Sequence, residues 1–109
     1  MVEVSKMHTG RPFGSQSFEP TSAVAFGKVL RARRSGLGYS QDALAHMADM
    51  ERAHVGRIER GENQPSLWII LKLARSLDCQ PGDMLQDTVV EMRSFNHKNS
   101  VPSAIAKTT

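Results

Sequence analysis

Ser40-Gln41-Asp42-Ala43-Leu44-Ala45-His46-Met47-Ala48-Asp49-Met50-Glu51-Arg52-Ala53-His54-Val55-Gly56-Arg57-Ile58-Glu59-Arg60-Gly61 forms the middle of the chain. It reads as two short helices joined by a tight turn. The first starts after Ser40, whose hydroxyl can accept a first-turn N–H, and buries Leu44, Ala45 and Ala48. Ala45 is small enough to let a steeply crossing helix approach closely. In the second helix Val55 and Ile58, three apart, point inward, with Glu51 and Glu59 flanking that face. A rotation of about 100° per residue places Ala53, Gly56, Arg57 and Arg60 on the other side, with Arg52 and His54 at its edges.

That outer face carries three arginines and no acid. A guanidinium can hold guanine O6 and N7 with two parallel hydrogen bonds, and it also clamps phosphate. The pair is therefore expected to be a helix-turn-helix whose second helix enters the major groove of DNA. Periodicity alone equally allows an ordinary helical hairpin with solvated arginines, since a charged outer face is the default for a surface helix.

The chain has 109 residues, of which 39% are hydrophobic and 23% charged, which suits one small soluble domain. No apolar run approaches the roughly 18 residues that span a bilayer, and Met1 to Pro20 lacks a signal-peptide core, so a cytoplasmic, nucleoid-associated protein with no membrane partner is expected. The single Cys79 agrees with a reducing compartment and reads as a packed side chain. Net charge is +3, which permits nucleic acid without demanding it. Its distribution says more. Lys28 to Arg60 holds seven basic against four acidic residues, whereas Gly61 to Asp87 holds two against four.

Outward from the central stretch, residues 1–20 mix Ser, Gly, Pro and Thr without a period, and Arg11-Pro12 and Glu19-Pro20 interrupt any helix. They read as a flexible arm that carries Lys6 and Arg11. A first helix is expected from a cap at Thr21 or Ser22 to about Leu37, with Phe26, Val29, Leu30 and Leu37 buried and Lys28, Arg31 and Arg33 in water. Gly38 follows as a left-handed stop, and Tyr39 packs before the Ser40 cap. Beyond Gly61, residues 62–65 read as a loop, and Ser66 caps a fourth helix from Leu67 to about Leu77. Its core stripe is Leu67, Ile70, Leu73, Ala74 and Leu77. Trp68 falls opposite, with Ile69 and Leu71 at the margins. A fifth helix begins at Pro81, holds Met84 and Leu85, and its 85, 89, 92 spacing suggests continuation through Val89 and Met92. From Asn96 the chain reads as a second flexible tail, which sets the domain at 21–87 and leaves 88–109 for the extension and tail.

Gly27, Leu30 and Arg34, then Ser40-Gln41 with Leu44-Ala45, Val55, Ile58-Glu59 and Gly61, and finally Pro65-Ser66-Leu67 with Lys72-Leu73-Ala74 and Leu77, together resemble the family of lambda-type phage repressors and Cro, the XRE family. The resemblance covers about Ala23 to Leu85. It implies an all-α, five-helix DNA-binding domain, dimeric on a two-fold symmetric operator of double-stranded DNA, and acting in transcription. It further implies a phosphate contact for Gln41, base-facing positions at Arg52, Ala53 and Arg57, and contacts to backbone or flanking bases for His54 and Arg60. Arg34 is implied to pair with Glu59, an architectural role. Two positions depart from the family pattern: Asp49 stands where it usually has Gly, and Glu51 where a Ser or Thr usually caps. Gly56 costs roughly 1 kcal/mol relative to Ala inside a helix. It either admits DNA backbone or is incidental, and the latter is preferred.

A second reading makes the chain an antitoxin or co-regulator whose main partner is another protein, bound through Trp68, Ile69 and Leu71, with Val89 and Met92 extending the surface. Homodimerisation through the same patch is the preferred account of it. An enzyme, a cofactor and a metal are not expected: His8, His46, His54 and His97 are scattered, and no Cys/His ligand cluster, phosphate loop or nucleophile elbow occurs.

Overall fold

Among the described residues five helices follow one another: α1 (Pro20–Gly36), α2 (Gln41–Ala48), α3 (Arg52–Glu59), α4 (Leu67–Ser76) and α5 (Pro81–Asn99). The computed structural model describes residues 18–99, with side-chain surroundings as far as Phe95. Lys6, Arg11 and the rest of the expected arm up to residue 17, together with the tail beyond Asn99, lie outside the described residues. Among the described residues there is no strand, so the architecture is all-α.

Local chemistry sets the helix ends. Ser40 accepts the Ala43 N–H at 3.0 Å and Ser66 the Ile69 N–H at 3.2 Å, as the caps at these positions require. The start of α1 differs from the sequence reading. Glu19, not Thr21 or Ser22, is the cap, and its carboxylate accepts the Ser22 N–H at 2.9 Å. Pro20 opens the helix where its missing N–H costs nothing, so the Glu-Pro pair starts a helix and does not break one.

Four helices stop by one device. Gly38, Asp49, Gly61 and Asp78 each take a left-handed backbone, with φ of 78°, 56°, 74° and 53°. The N–H of the following residue then reaches back into the helix: Tyr39 to the Arg34 carbonyl, Met50 to Ala45, Glu62 to Arg57 and Cys79 to Ala74, all at 2.8–3.1 Å. Tyr39, Met50 and Cys79 also pack against the core, which is the apolar contact such a stop favours. Asp49 thus serves at the turn between α2 and α3 in place of glycine.

Phe26, Val29 and Leu30 of α1, Leu44, Ala45 and Ala48 of α2, Val55 and Ile58 of α3, Leu73 and Ala74 of α4, Leu77 beyond it and Met84 of α5 form one core. α1 lies against α3 and α5, and α2 against α3 and α4. The approach of α1 to α3 depends on Gly27, where a methyl group would strike the carbonyl oxygens of Ile58 and Glu59. This contact with backbone explains why the smallest residue stands in mid-helix despite its cost.

Several expected core positions are corrected. Leu37 and Leu67 are 51% and 67% exposed, the one as the residue that ends α1 and the other as the first of α4. Ile69, expected at the surface, is half-buried on the core. α5 runs through Asn99, past the polar turn in composition at Asn96, and it presents Met84 and Thr88 inward, with Leu85 and Val89 exposed. Thr88 is buried, its hydroxyl donating to the Met84 carbonyl at 2.8 Å. Arg33 and Lys28, expected simply in water, reach across to α5. Arg33 pairs with Asp87 at 2.8 Å, and Lys28 lies 3.8 Å from Glu91 and over the Phe95 ring at 5.1 Å.

Candidate nucleic-acid interface

The outer face of α3 is held in place from beneath. Val55 and Ile58 are fully buried, so the helix cannot rotate about its axis without exposing both. Ala53 and Arg57 are then exposed, with Arg52 exposed and His54 half-buried at the edge. Glu51 precedes the helix in an extended backbone but makes no side-chain cap, as its departure from Ser or Thr implies.

Behind that face lies the pair that fixes α3 to the rest of the domain. Arg34 donates from Nε to Glu59 Oε2 at 2.6 Å and from Nη2 to Oε1 at 2.9 Å, with the two side chains only 13% and 3% exposed. Arg34 Nη1 also donates to the Tyr39 carbonyl at 2.8 Å. The hydrogen bond to Glu59 outweighs desolvation and pushes the Arg34 guanidinium further up from an already high value. Glu59 has a third donor, the Gln41 amide, at 2.9 Å. One carboxylate therefore joins α1, the α1–α2 turn, the first residue of α2 and the end of α3.

This places Gln41 differently from a free surface amide. Its side chain is half-buried against Glu59 and over Gly56, whose absent Cβ would lie 3.7 Å from Gln41 Oε1. Gly56 itself is buried, not part of the open face. A Cβ there would come within 3.1 Å of Arg60 Nη1, the far end of an exposed side chain that lies over this bare stretch of backbone.

The three arginines are not equivalent. Arg52 Nε lies 3.4 Å from Asp42 Oδ1 at the α2 terminus. Arg60, the residue after α3, forks onto Glu62 through Nε at 2.9 Å and Nη2 at 3.2 Å. Among the described residues Arg57 alone of the three has no carboxylate partner. Asp42 and Glu62 were missed as partners because neither pair has the three- or four-residue spacing of a helix surface; one crosses between helices and the other spans a helix end.

A helix-turn-helix family model matches residues 30–84, just over half of the chain. The chain belongs to the helix-turn-helix family. The control protein C.BamHI of Bacillus amyloliquefaciens is 38% identical to it over 63 residues, 58% of this chain and 78% of that protein. The repressor protein C2 of Salmonella phage P22 is 29% identical over 76 residues, 70% of this chain but only 35% of that larger protein, so the chain spans about a third of it. Among solved structures, the restriction-modification controller protein C.AhdI of Aeromonas hydrophila superposes with a TM-score of 0.56 at 44% identity, over 57% of this chain and 94% of that one.

The Arg34–Glu59 pair yields a stability prediction. Arg34→Ala strands a carboxylate that is almost fully enclosed and is expected to cost about 3 kcal/mol in urea denaturation. Adding Glu59→Gln to that variant removes the orphaned charge and is expected to recover a measurable part of the loss. A double variant no more stable than Arg34→Ala would show that the pair does not hold α3.

Proposed function

We propose that the chain is a sequence-specific DNA-binding regulator of transcription that reads the major groove with α3. The observation that carries this is the exposed Arg57, without a carboxylate partner among the described residues, on a helix whose buried side is locked by Val55, Ile58 and Glu59. Rigid support matters because bidentate base recognition tolerates little error in the helix's position. Arg57 is the principal base reader, with Ala53 giving room or an apolar contact to a thymine methyl and Arg52 reading at the edge. Gln41, whose backbone N–H opens α2, and His54 meet the phosphates on either side of the groove. Arg60 is placed at the rim and contributes there only when it leaves Glu62. The kinship with a control protein, a repressor and a controller protein supports transcription as the process regulated. A DNA-binding regulator needs no catalytic centre, and no helix among the described residues is long and apolar enough to cross a membrane.

The acting form is a homodimer on a two-fold symmetric operator. Trp68, Leu71, Leu85, Val89 and Val90 are 39–61% exposed, more large apolar surface than α4 and α5 need for their own packing. Ile69 and Met92 contribute less, being half-buried. Sedimentation at micromolar concentration distinguishes the two helices: Val89→Glu is expected to yield monomer if α5 makes the contact and Leu71→Glu if α4 does. Retention of the dimer in both would place the contact elsewhere.

The reading itself is tested on a duplex selected by the protein from a random pool. Arg57→Ala is expected to weaken binding to that duplex by about 1–3 kcal/mol and to abolish preference at one base pair. Equal weakening on selected and random duplex would assign Arg57 to phosphate only.

A further inference from the structure

Of the four left-handed helix stops, three are followed by a side chain that packs on the core: Tyr39, Met50 and Cys79. The fourth, at the end of α3, is followed by a carboxylate, Glu62, which stays in solvent. Gly61 and the backbone bond from the Glu62 N–H to the Arg57 carbonyl, at 2.9 Å, fix where that carboxylate starts. It turns back to Arg60 and occupies the Nε–Nη2 edge of the guanidinium, one of the two edges that can grip a phosphate, and it neutralises the charge that the other edge would bring. Beneath lies Gly56, with Arg60 Nη1 3.1 Å from where a methyl would stand. The hydrogen bond from Arg60 holds the Glu62 carboxyl below its usual range, against a smaller cost of desolvation, and the charge of Arg57 adds to the effect. Glu62 therefore sits within the field of two of the three arginines on the reading face.

We propose that Glu62 is a specificity-determining residue that withholds Arg60 from DNA phosphate and so lowers sequence-independent binding. The inference rests on the assignment of α3 to the major groove. Its physical basis is a competition. Both side chains are more than half exposed, so the pair is readily exchanged for another partner. An Arg60 that stays on Glu62 brings no net charge to the duplex, and one that leaves puts an unpaired carboxylate beside the phosphates. On a random duplex the protein can shift until any phosphate meets a free guanidinium, and there the lost contact weighs most. At the operator the register is set by the base contacts of Arg57, and a phosphate within reach of Arg60 is not guaranteed. Asp42 places a second carboxylate against Arg52 in the same manner, at a looser 3.4 Å.

The test measures dissociation constants of the full chain for its selected duplex and for a random duplex, across a salt series. Glu62→Gln is expected to tighten random-duplex binding about three- to tenfold at about 0.1 M salt and to steepen the log–log salt slope by about 0.9, as one more phosphate contact would. The selected duplex is expected to gain less, so the ratio between the two falls. In an Arg60→Gln background the same change is expected to give under half of that gain in log affinity, because the cation it releases is absent. An unchanged random-duplex affinity overturns the proposal, as does an equal gain on both duplexes or a full gain without Arg60. Failure of the unsubstituted protein to select any duplex would instead overturn the assignment of α3 to the groove, and this inference with it.

Discussion

A single enclosed carboxylate organises the side of this domain on which α3 lies. Glu59 ends the helix that carries Arg52, Ala53 and Arg57, and its oxygens take hydrogen bonds from Arg34 of α1 and Gln41 of α2. Arg34 in turn grips the carbonyl of Tyr39, in the turn that delivers the chain to α2. A charge so poorly solvated persists only with partners of fixed position, and the same partners fix it. The position of α3 relative to α1 and α2 is thus set electrostatically at one end, while Val55 and Ile58 set it by burial along its length.

Close packing completes what the ion pair begins. Gly27 lets α1 rest on the last carbonyls of α3, and Gly61 passes close to Val24, where a methyl group would come within 2.7 Å of its side chain. The C-terminal end of the reading helix is therefore wedged against α1 on two sides. Beyond it, α5 is tied along α1 by Arg33–Asp87 and Lys28–Glu91, both of them partly solvated and of small energetic weight compared with Met84 and Thr88 beneath. The reading surface and the α4–α5 surface then belong to one body, which lets a contact between two copies fix the spacing of two reading helices.

Much of this was legible before any coordinates. The 3.6-residue period located the buried sides of α2 and α3, and the serines at 40 and 66 marked two helix starts by their capping chemistry. The identity of Glu59 as an architectural residue followed from resemblance and not from spacing, since a carboxylate at a helix edge looks like any solvated one. Other features escaped for physical reasons. The burial of Thr88 on α5 escaped because the residue looks polar, yet its hydroxyl is satisfied by its own helix and so tolerates burial. Leu37 and Leu67 fit the apolar period, but a period does not tell whether a residue at a helix end is covered. The place of Arg60 over Gly56 and its fork with Glu62 depend on how the chain turns after Gly61, a three-dimensional fact with no period to betray it.

Base-specific chemical interference distinguishes an α3 lying in the major groove from one that does not. Guanines methylated at N7 in the selected duplex project their methyl groups into the major groove, and adenines methylated at N3 into the minor groove. With α3 in the major groove, N7 methylation is expected to block binding at two clusters related by two-fold symmetry and about one helical turn apart. Interference confined to adenine N3, with N7 methylation tolerated throughout, would contradict that placement.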